Sequence, residues 1–125
     1  MHLVSELMIK DPIPCTPFTR LEEIERLMHE QNCHEISIVD SLYENRLVGI
    51  ITDSDIESRA RIEGVELSHL NAERCMTVLP IAVNPESTIE DCLRLMENNH
   101  IFRMPVVDKD GHYCGVISHS DIVKN

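Results

Sequence analysis

Apolar residues along the chain follow two spacings. Leu21, Ile24, Leu27 and Met28 recur at three- and four-residue intervals, as do Ile89, Cys92, Leu93 and Met96, which predicts two helices that each bury one face. Short β-branched runs follow each helix and read as strands: Ile36–Val39 and Leu47–Ile51 after the first, Val106–Val107 and Tyr113–Ile117 after the second. Lys109-Asp110-Gly111 is a tight-turn sequence that joins the second pair as a hairpin, whereas a longer polar loop, Ser41–Arg46, joins the first. Thr19-Arg20-Leu21-Glu22 and Ser87-Thr88-Ile89-Glu90 both fit a capping box, with the hydroxyl accepting from the first turn and the carboxylate reaching back. Asp53 or Ser54 is placed to cap a further helix through about Ile62, which Gly64 terminates.

The same order of elements occurs twice because the chain repeats itself. Met8–Gln31 aligns with Met76–Asn99, Ile36–Asp40 with Met104–Asp108, and Leu47–Ile56 with Tyr113–Ile122. Each copy reads as strand, helix, strand, strand, helix. One copy alone leaves an apolar sheet half exposed; two packed face to face bury it. The expected fold is therefore a mixed α/β sandwich of two β-α-β-β-α repeats related by pseudo-twofold symmetry. It forms a single module over 1–125, with repeat 1 at 8–60, a linker or helical segment at 61–75, and repeat 2 at 76–125.

Charge and composition remove several classes of function. With 22 Asp and Glu against 11 Lys and Arg, the formal charge is −11, a field that repels a nucleic-acid polymer while leaving a small anion within reach of local cations. Aromatics total 3% and Trp is absent, so the stacking platform for single strands is missing too. No stretch approaches the roughly 20 apolar residues of a membrane helix, and the start lacks a signal-peptide pattern, so a cytoplasmic location with no membrane partner is expected. The five cysteines, an odd number without a C-x-x-C pair, read as reduced thiols. His2, His29, His34, His69, His100 and His112 lack regular ligand spacing, so no metal site is expected. His119 reads as a surface residue. No nucleophile elbow, Cys–His arrangement or phosphate-binding lysine loop is present, so the chain reads as a non-enzyme with no catalytic residues.

Two segments carry candidate chemistry, Gly49-Ile-Ile-Thr-Asp-Ser-Asp55 and Gly115-Val-Ile-Ser-His-Ser-Asp121. Each runs from a strand into a helix, where free N–H groups and the positive dipole end suit an anion. The hydroxyls of Thr52, Ser54, Ser118 and Ser120 are suited to donate to phosphate oxygens, and Asp55 and Asp121 to accept both hydroxyls of a ribose diol. A plain helix cap of the T-x-x-D type accounts for the same residues. Recurrence at the same place in both repeats brings the ligand reading level with the cap.

These segments, the duplicated proline-bearing openings and the Met-Pro-Val-Val-Asp strand at Met104–Asp108 together resemble a tandem pair of cystathionine-β-synthase-type (CBS) domains, a Bateman module. The resemblance covers residues 8–125; in the first repeat Ser37 replaces the strand's proline. It implies a regulatory module that binds an adenosine nucleotide such as AMP, ADP or ATP in a cleft between the repeats, as a regulatory ligand rather than a cofactor. It implies also a homodimeric disc and an effector protein that the sequence does not name.

Carried over residue by residue, site A combines Thr52, Ser54 and Asp55 with Pro80 and Ile81 beside the base and Arg103 toward phosphate. Site B combines Ser118, Ser120 and Asp121 with Pro12 and Ile13. Glu35 aligns with Arg103, and exchanging a cation for a carboxylate near a phosphate reverses an attraction of about 1–4 kcal/mol. Site A is thus the expected nucleotide site, with site B empty or holding a neutral or cationic adenosine derivative. The alternative is a ligand-free dimerisation module with degenerate clefts.

Overall fold

The computed structural model describes residues 2–64 and 66–124, so Met1, Val65 and Asn125, which fall within the module and linker bounds above, lie outside the described residues. The elements in chain order are α1 (Val4–Leu7), β1 (Ile9–Lys10), α2 (Leu21–Glu30), β2 (Glu35–Val39), β3 (Leu47–Thr52), α3 (Asp53–Glu63), β4 (Thr77–Val78), α4 (Ile89–Asn99), β5 (Arg103–Val107), β6 (Tyr113–Ser118) and α5 (His119–Val123). Two short 3-10 turns, Leu67–His69 and Ala72–Arg74, lie between α3 and β4. The mixed α/β class and the duplicated element order are those read from the sequence. The chain forms two compact units, one of residues 13–80 and one of residues 1–12 with 81–125.

Each unit holds a three-stranded sheet, and each sheet borrows its edge from the opening of the other repeat. In the 13–80 unit the strand order is β2-β3-β4; in the other it is β1-β6-β5, all neighbours antiparallel. The opening strand of repeat 1 therefore pairs with the last strand of repeat 2, Ile9 opposite Val116, and that of repeat 2 pairs with β3, Gly49 opposite Val78. A few residues on, each opening segment joins its own repeat. Cys15 makes a parallel bridge with Ile38, and Val83 makes one with Val106.

This exchange explains the glycines late in β3 and β6. A Cβ on Gly115 would lie 2.4 Å from the Ile9 carbonyl oxygen and 3.2 Å from Met8 Sδ; one on Gly49 would lie 2.9 Å from the Thr77 carbonyl and 3.1 Å from Met76 Sδ. Their role is close backbone approach. Both opening segments turn at a non-glycine residue with φ of +51°, Asp11 in one and Leu79 in the other, immediately before Pro12 and Pro80.

Each unit has its own core. In 13–80, Leu21, Ile24 and Met28 of α2 pack with Ile36, Ile38 and Ile51 of the sheet and Ile56 of α3. In the other unit, Ile89, Cys92 and Met96 of α4 pack with Met104, Val106 and Ile117 and with Ile122 of α5. Each fully buried aliphatic side chain contributes roughly 1.5–3 kcal/mol.

The helix starts correct the sequence reading. The Thr19 hydroxyl accepts from the Thr16 N–H at 3.0 Å, leaving Arg20 at the start of α2 without a side-chain cap. At α4 the cap is Thr88, not Ser87, and its hydroxyl accepts from the Asp91 N–H at 3.2 Å. Arg20 is held instead by donation to the Ser68 carbonyl at 2.6 Å. Helix α3 ends before Gly64, at φ +65°, as expected.

Candidate functional site

The two candidate segments fold alike. Thr52 ends β3, its hydroxyl accepting from the Asp55 N–H at 3.1 Å while its own N–H donates to Asp55 Oδ2 at 2.9 Å. Ser118 ends β6 and makes the same pair of bonds with Asp121, at 3.2 and 3.0 Å. These are reciprocal capping boxes that start α3 and α5, with the cap one or two residues earlier than Asp53 or Ser54. The cap and the ligand reading are compatible for the same atoms. A hydroxyl that accepts from an amide keeps its own proton to donate, and the box engages only Oδ2 of the Asp55 carboxylate. Asp55, Asp121, Thr52 and Ser118 are half-buried, and Ser54 and Ser120 are exposed.

What flanks the boxes differs. Across the sheet from Thr52 stands Glu35, and across from Ser118 stands Arg103, so each charged side chain shares a face with the hydroxyl of its own unit. Asp53 follows Thr52, and its Oδ2 lies 2.6 Å from His34 Nδ1. His119 follows Ser118 and meets Phe102 edge to face, ring centroids 6.1 Å apart. The backbone bond beneath is shared: Asp53 N–H donates to His34 and His119 N–H to Phe102. Ser118 and Ser120 hydroxyls lie 3.0 Å apart. Sequence reasoning missed the His34–Asp53 pair; the signal was that 34 and 53 align with 102 and 119.

Ser54 also lines a cavity of about 500 Å³ with Glu25, Asp53, Ile56, Glu57 and Leu67. Three carboxylates and no cation among these residues make it a poor setting for phosphate. Ser54 is thus the weakest of the expected anion donors.

The remaining expected site residues sit in the opening segments. Pro12 and Pro80 are half-buried, and Ile13 and Ile81 are 56% and 40% exposed. Thr52, Ser54, Asp55 and Pro80 belong to the 13–80 unit, Ile81 and Arg103 to the other; Pro12, Ser118, Ser120 and Asp121 belong to that second unit and Ile13 to the first. Among the described residues, none of the five cysteines is in a disulfide. Burial pushes the Cys15 thiol up to about 11, a hydrogen bond from Thr19 acting against it and Glu23 with it. Among the described residues no helix is long and apolar enough to cross a membrane.

Comparison with known proteins places the chain. The CBS domain family matches residues 4–60 and 72–125. The homoserine O-acetyltransferase of Methanohalobium evestigatum is 30% identical over 119 residues, 95% of this chain but 23% of that protein, so the chain spans less than a quarter of that relative. The crystal structure of the CBS domain pair of protein MJ0100, in complex with 5'-methylthioadenosine and S-adenosyl-L-methionine, matches at 26% identity with a TM-score of 0.84, covering 98% of both chains. That of CBSX2 in complex with AMP shares the fold at 23% identity and a TM-score of 0.87, covering 99% of this chain and 95% of that one.

Proposed function

The chain belongs to the CBS domain family, and we propose that it is a regulatory module that binds an adenosine-containing ligand and passes the binding on to a partner or to its own association. The observation that carries this reading is the twice-built box in which a hydroxyl and a carboxylate are locked side by side at a helix start. A ribose diol has two hydroxyls to donate, and a half-buried carboxylate oriented by backbone N–H is a strong acceptor for both. The complex of the MJ0100 pair with two adenosine derivatives supports the ligand class.

Following the family pattern, we assign the nucleotide to Thr52, Ser54 and Asp55 with Pro80, Ile81 and Arg103. A second reading is favoured by strand register: Arg103 stands opposite Ser118, while Glu35 stands opposite Thr52 beside Asp53 and Asp55. By charge alone, a phosphate is better served at the Ser118 turn.

Thermal shift with AMP, ADP, ATP, S-adenosylmethionine and adenosine tests both. A ligand at 100 times its Kd stabilises by about 2.7 kcal/mol, several degrees for a chain of this size. Loss of the shift in Asp55→Ala with retention in Asp121→Ala supports the first assignment, and the reverse supports the second. An Arg103→Ala variant that binds AMP like the unaltered protein removes Arg103 from either. Flat curves for every ligand on folded protein overturn the adenosine reading and favour a ligand-free association module.

A further inference from the structure

The turn between β5 and β6 carries more ligating groups than a hairpin needs. Asp108 holds the turn together: its Oδ1 accepts the N–H groups of Asp110 and His112, each at 2.9 Å, and its own N–H donates to the His112 carbonyl at 3.0 Å. Asp40 does the same work in the β2–β3 loop, its Oδ1 accepting from Ser41 at 2.7 Å and Arg46 at 3.0 Å, and its N–H donating to the Arg46 carbonyl at 2.9 Å. One carboxylate therefore suffices for either connection. The second turn differs by placing an imidazole where the first has Arg46, with the carboxylate of Asp110 two residues before it. His112 Nδ1 lies 3.5 Å from Asp108 Oδ2, and one donor atom from each of Asp108, Asp110 and His112 falls within 4.8 Å of the other two. The turn's hydrogen bonds use only the backbone of Asp110, while His112 adds its imidazole beside Asp108 Oδ2.

We propose that this turn is a divalent-metal site in which Asp108, Asp110 and His112 are the ligands of a first-row ion such as Zn²⁺. Donors at roughly 2.0–2.2 Å from one ion stand roughly 3–3.6 Å from each other, so the three groups close on it by rotation of the exposed Asp110 side chain. The donor set selects the ion. Mg²⁺ and Ca²⁺ favour shells of oxygen alone, whereas an imidazole beside two carboxylates suits Zn²⁺, Co²⁺ or Ni²⁺. Two carboxylates also balance the ion's charge. Beside Asp108 is a cavity of about 250 Å³, lined further by Asn84, Pro85, Glu86 and Lys109, which leaves room for water to complete the shell. Lys109 is the opposing charge in that lining and Glu86 the supporting one. All these residues lie within one compact unit, and the inference is independent of the adenosine reading. Neither regular histidine spacing nor a repeated carboxylate cluster marks this group in the sequence, because here a single histidine meets two aspartates across one turn.

The test is titration of metal-stripped protein with Zn²⁺ by calorimetry and with Co²⁺ by visible absorption, on the unaltered chain, His112→Gln and Asp110→Asn. Both variants keep Asp108 and every backbone donor of the turn, and circular dichroism checks that they fold. The expected result is one ion per chain at micromolar affinity or tighter, weakened about tenfold or more in each variant, with no sulfur-to-cobalt charge-transfer band. Affinity unchanged in His112→Gln overturns the proposal. So does a thiolate band, which would assign the ion to cysteines, and so does an absence of binding up to millimolar Zn²⁺.

Discussion

Thr52 and Asp55 hold each other through two reciprocal bonds, Thr52 N–H to Asp55 Oδ2 at 2.9 Å and Asp55 N–H to Thr52 Oγ1 at 3.1 Å. The pair starts α3 and, on the proposed function, also receives a ribose. The two roles make different demands on the same carboxylate. Capping needs one acceptor oxygen, and recognition of a diol needs a charged pair of them.

Substitution at Asp55 therefore separates the roles. Asp55→Asn keeps an oxygen for the Thr52 N–H and is expected to change stability little while weakening the adenosine ligand. Asp55→Ala loses both, and the missing half of the box costs about 0.5–2 kcal/mol in urea unfolding without ligand. If Asp55→Asn binds the ligand as well as the unaltered protein, the carboxylate is only a cap.

Gly115→Ala is expected to be more harmful than Gly49→Ala. The new methyl meets the Ile9 carbonyl at 2.4 Å in the first case and the Thr77 carbonyl at 2.9 Å in the second, both backbone atoms that move only with their strand. Overpacking of this kind costs typically about 1–3 kcal/mol. Chemical denaturation reads the order, and equal stabilities for the two variants would show that β1 and β4 yield with equal ease.

These glycines also mark where sequence reading stops. The faces of α2 and α4 were legible because Leu21, Ile24 and Met28, like Ile89, Cys92 and Met96, repeat at helical period and are buried as that period requires. The hairpins were legible from turn chemistry at Lys109–Gly111. The partner of the opening strands was not, since Ile9–Lys10 and Thr77–Val78 are two residues each and all four side chains are exposed. No alternation over two residues specifies a sheet. The T-x-x-D and S-x-x-D patterns gave both the caps and the ligand reading, while the facing of Arg103 to Ser118 and Glu35 to Thr52 depends on strand register. The starts of α2 and α4 shifted by one residue because the Thr16 N–H takes the Thr19 hydroxyl, and because Thr88 rather than Ser87 accepts from the first turn.

Leu79 sits in the left-handed region at φ +51° with 90% of its surface exposed. A β-carbon there costs roughly 1–2 kcal/mol, and no burial offsets it. Its counterpart Asp11, at the same φ, is a residue type that tolerates this conformation. Leu79→Asn is therefore expected to raise the melting temperature and Leu79→Val to lower it, since branching at the β-carbon worsens the clash. A lower melting temperature for Leu79→Asn would mean that the leucine side chain contributes binding surface that outweighs the strain.

Cys15 is 4% exposed, and burial pushes its thiol up to about 11 from the 9.0 of a solvated thiol. Between those two values the unfolded chain releases a proton that the folded chain retains. Stability from this group is thus fully present below pH 9.0 and is lost as pH rises through about 11. One proton bounds the slope at about 1.4 kcal/mol per pH unit. Urea unfolding from pH 8 to about 11 is expected to show a shallower decline in Cys15→Ala than in the unaltered protein. The level of the Cys15→Ala curve also reflects the cavity left by the sulfur, so the slope alone is diagnostic. In parallel, alkylation of the folded chain at pH about 8 should label half-buried Cys33 and Cys75 ahead of Cys15. Parallel slopes, together with early labelling of Cys15, would show that the thiol opens to solvent before the unit unfolds.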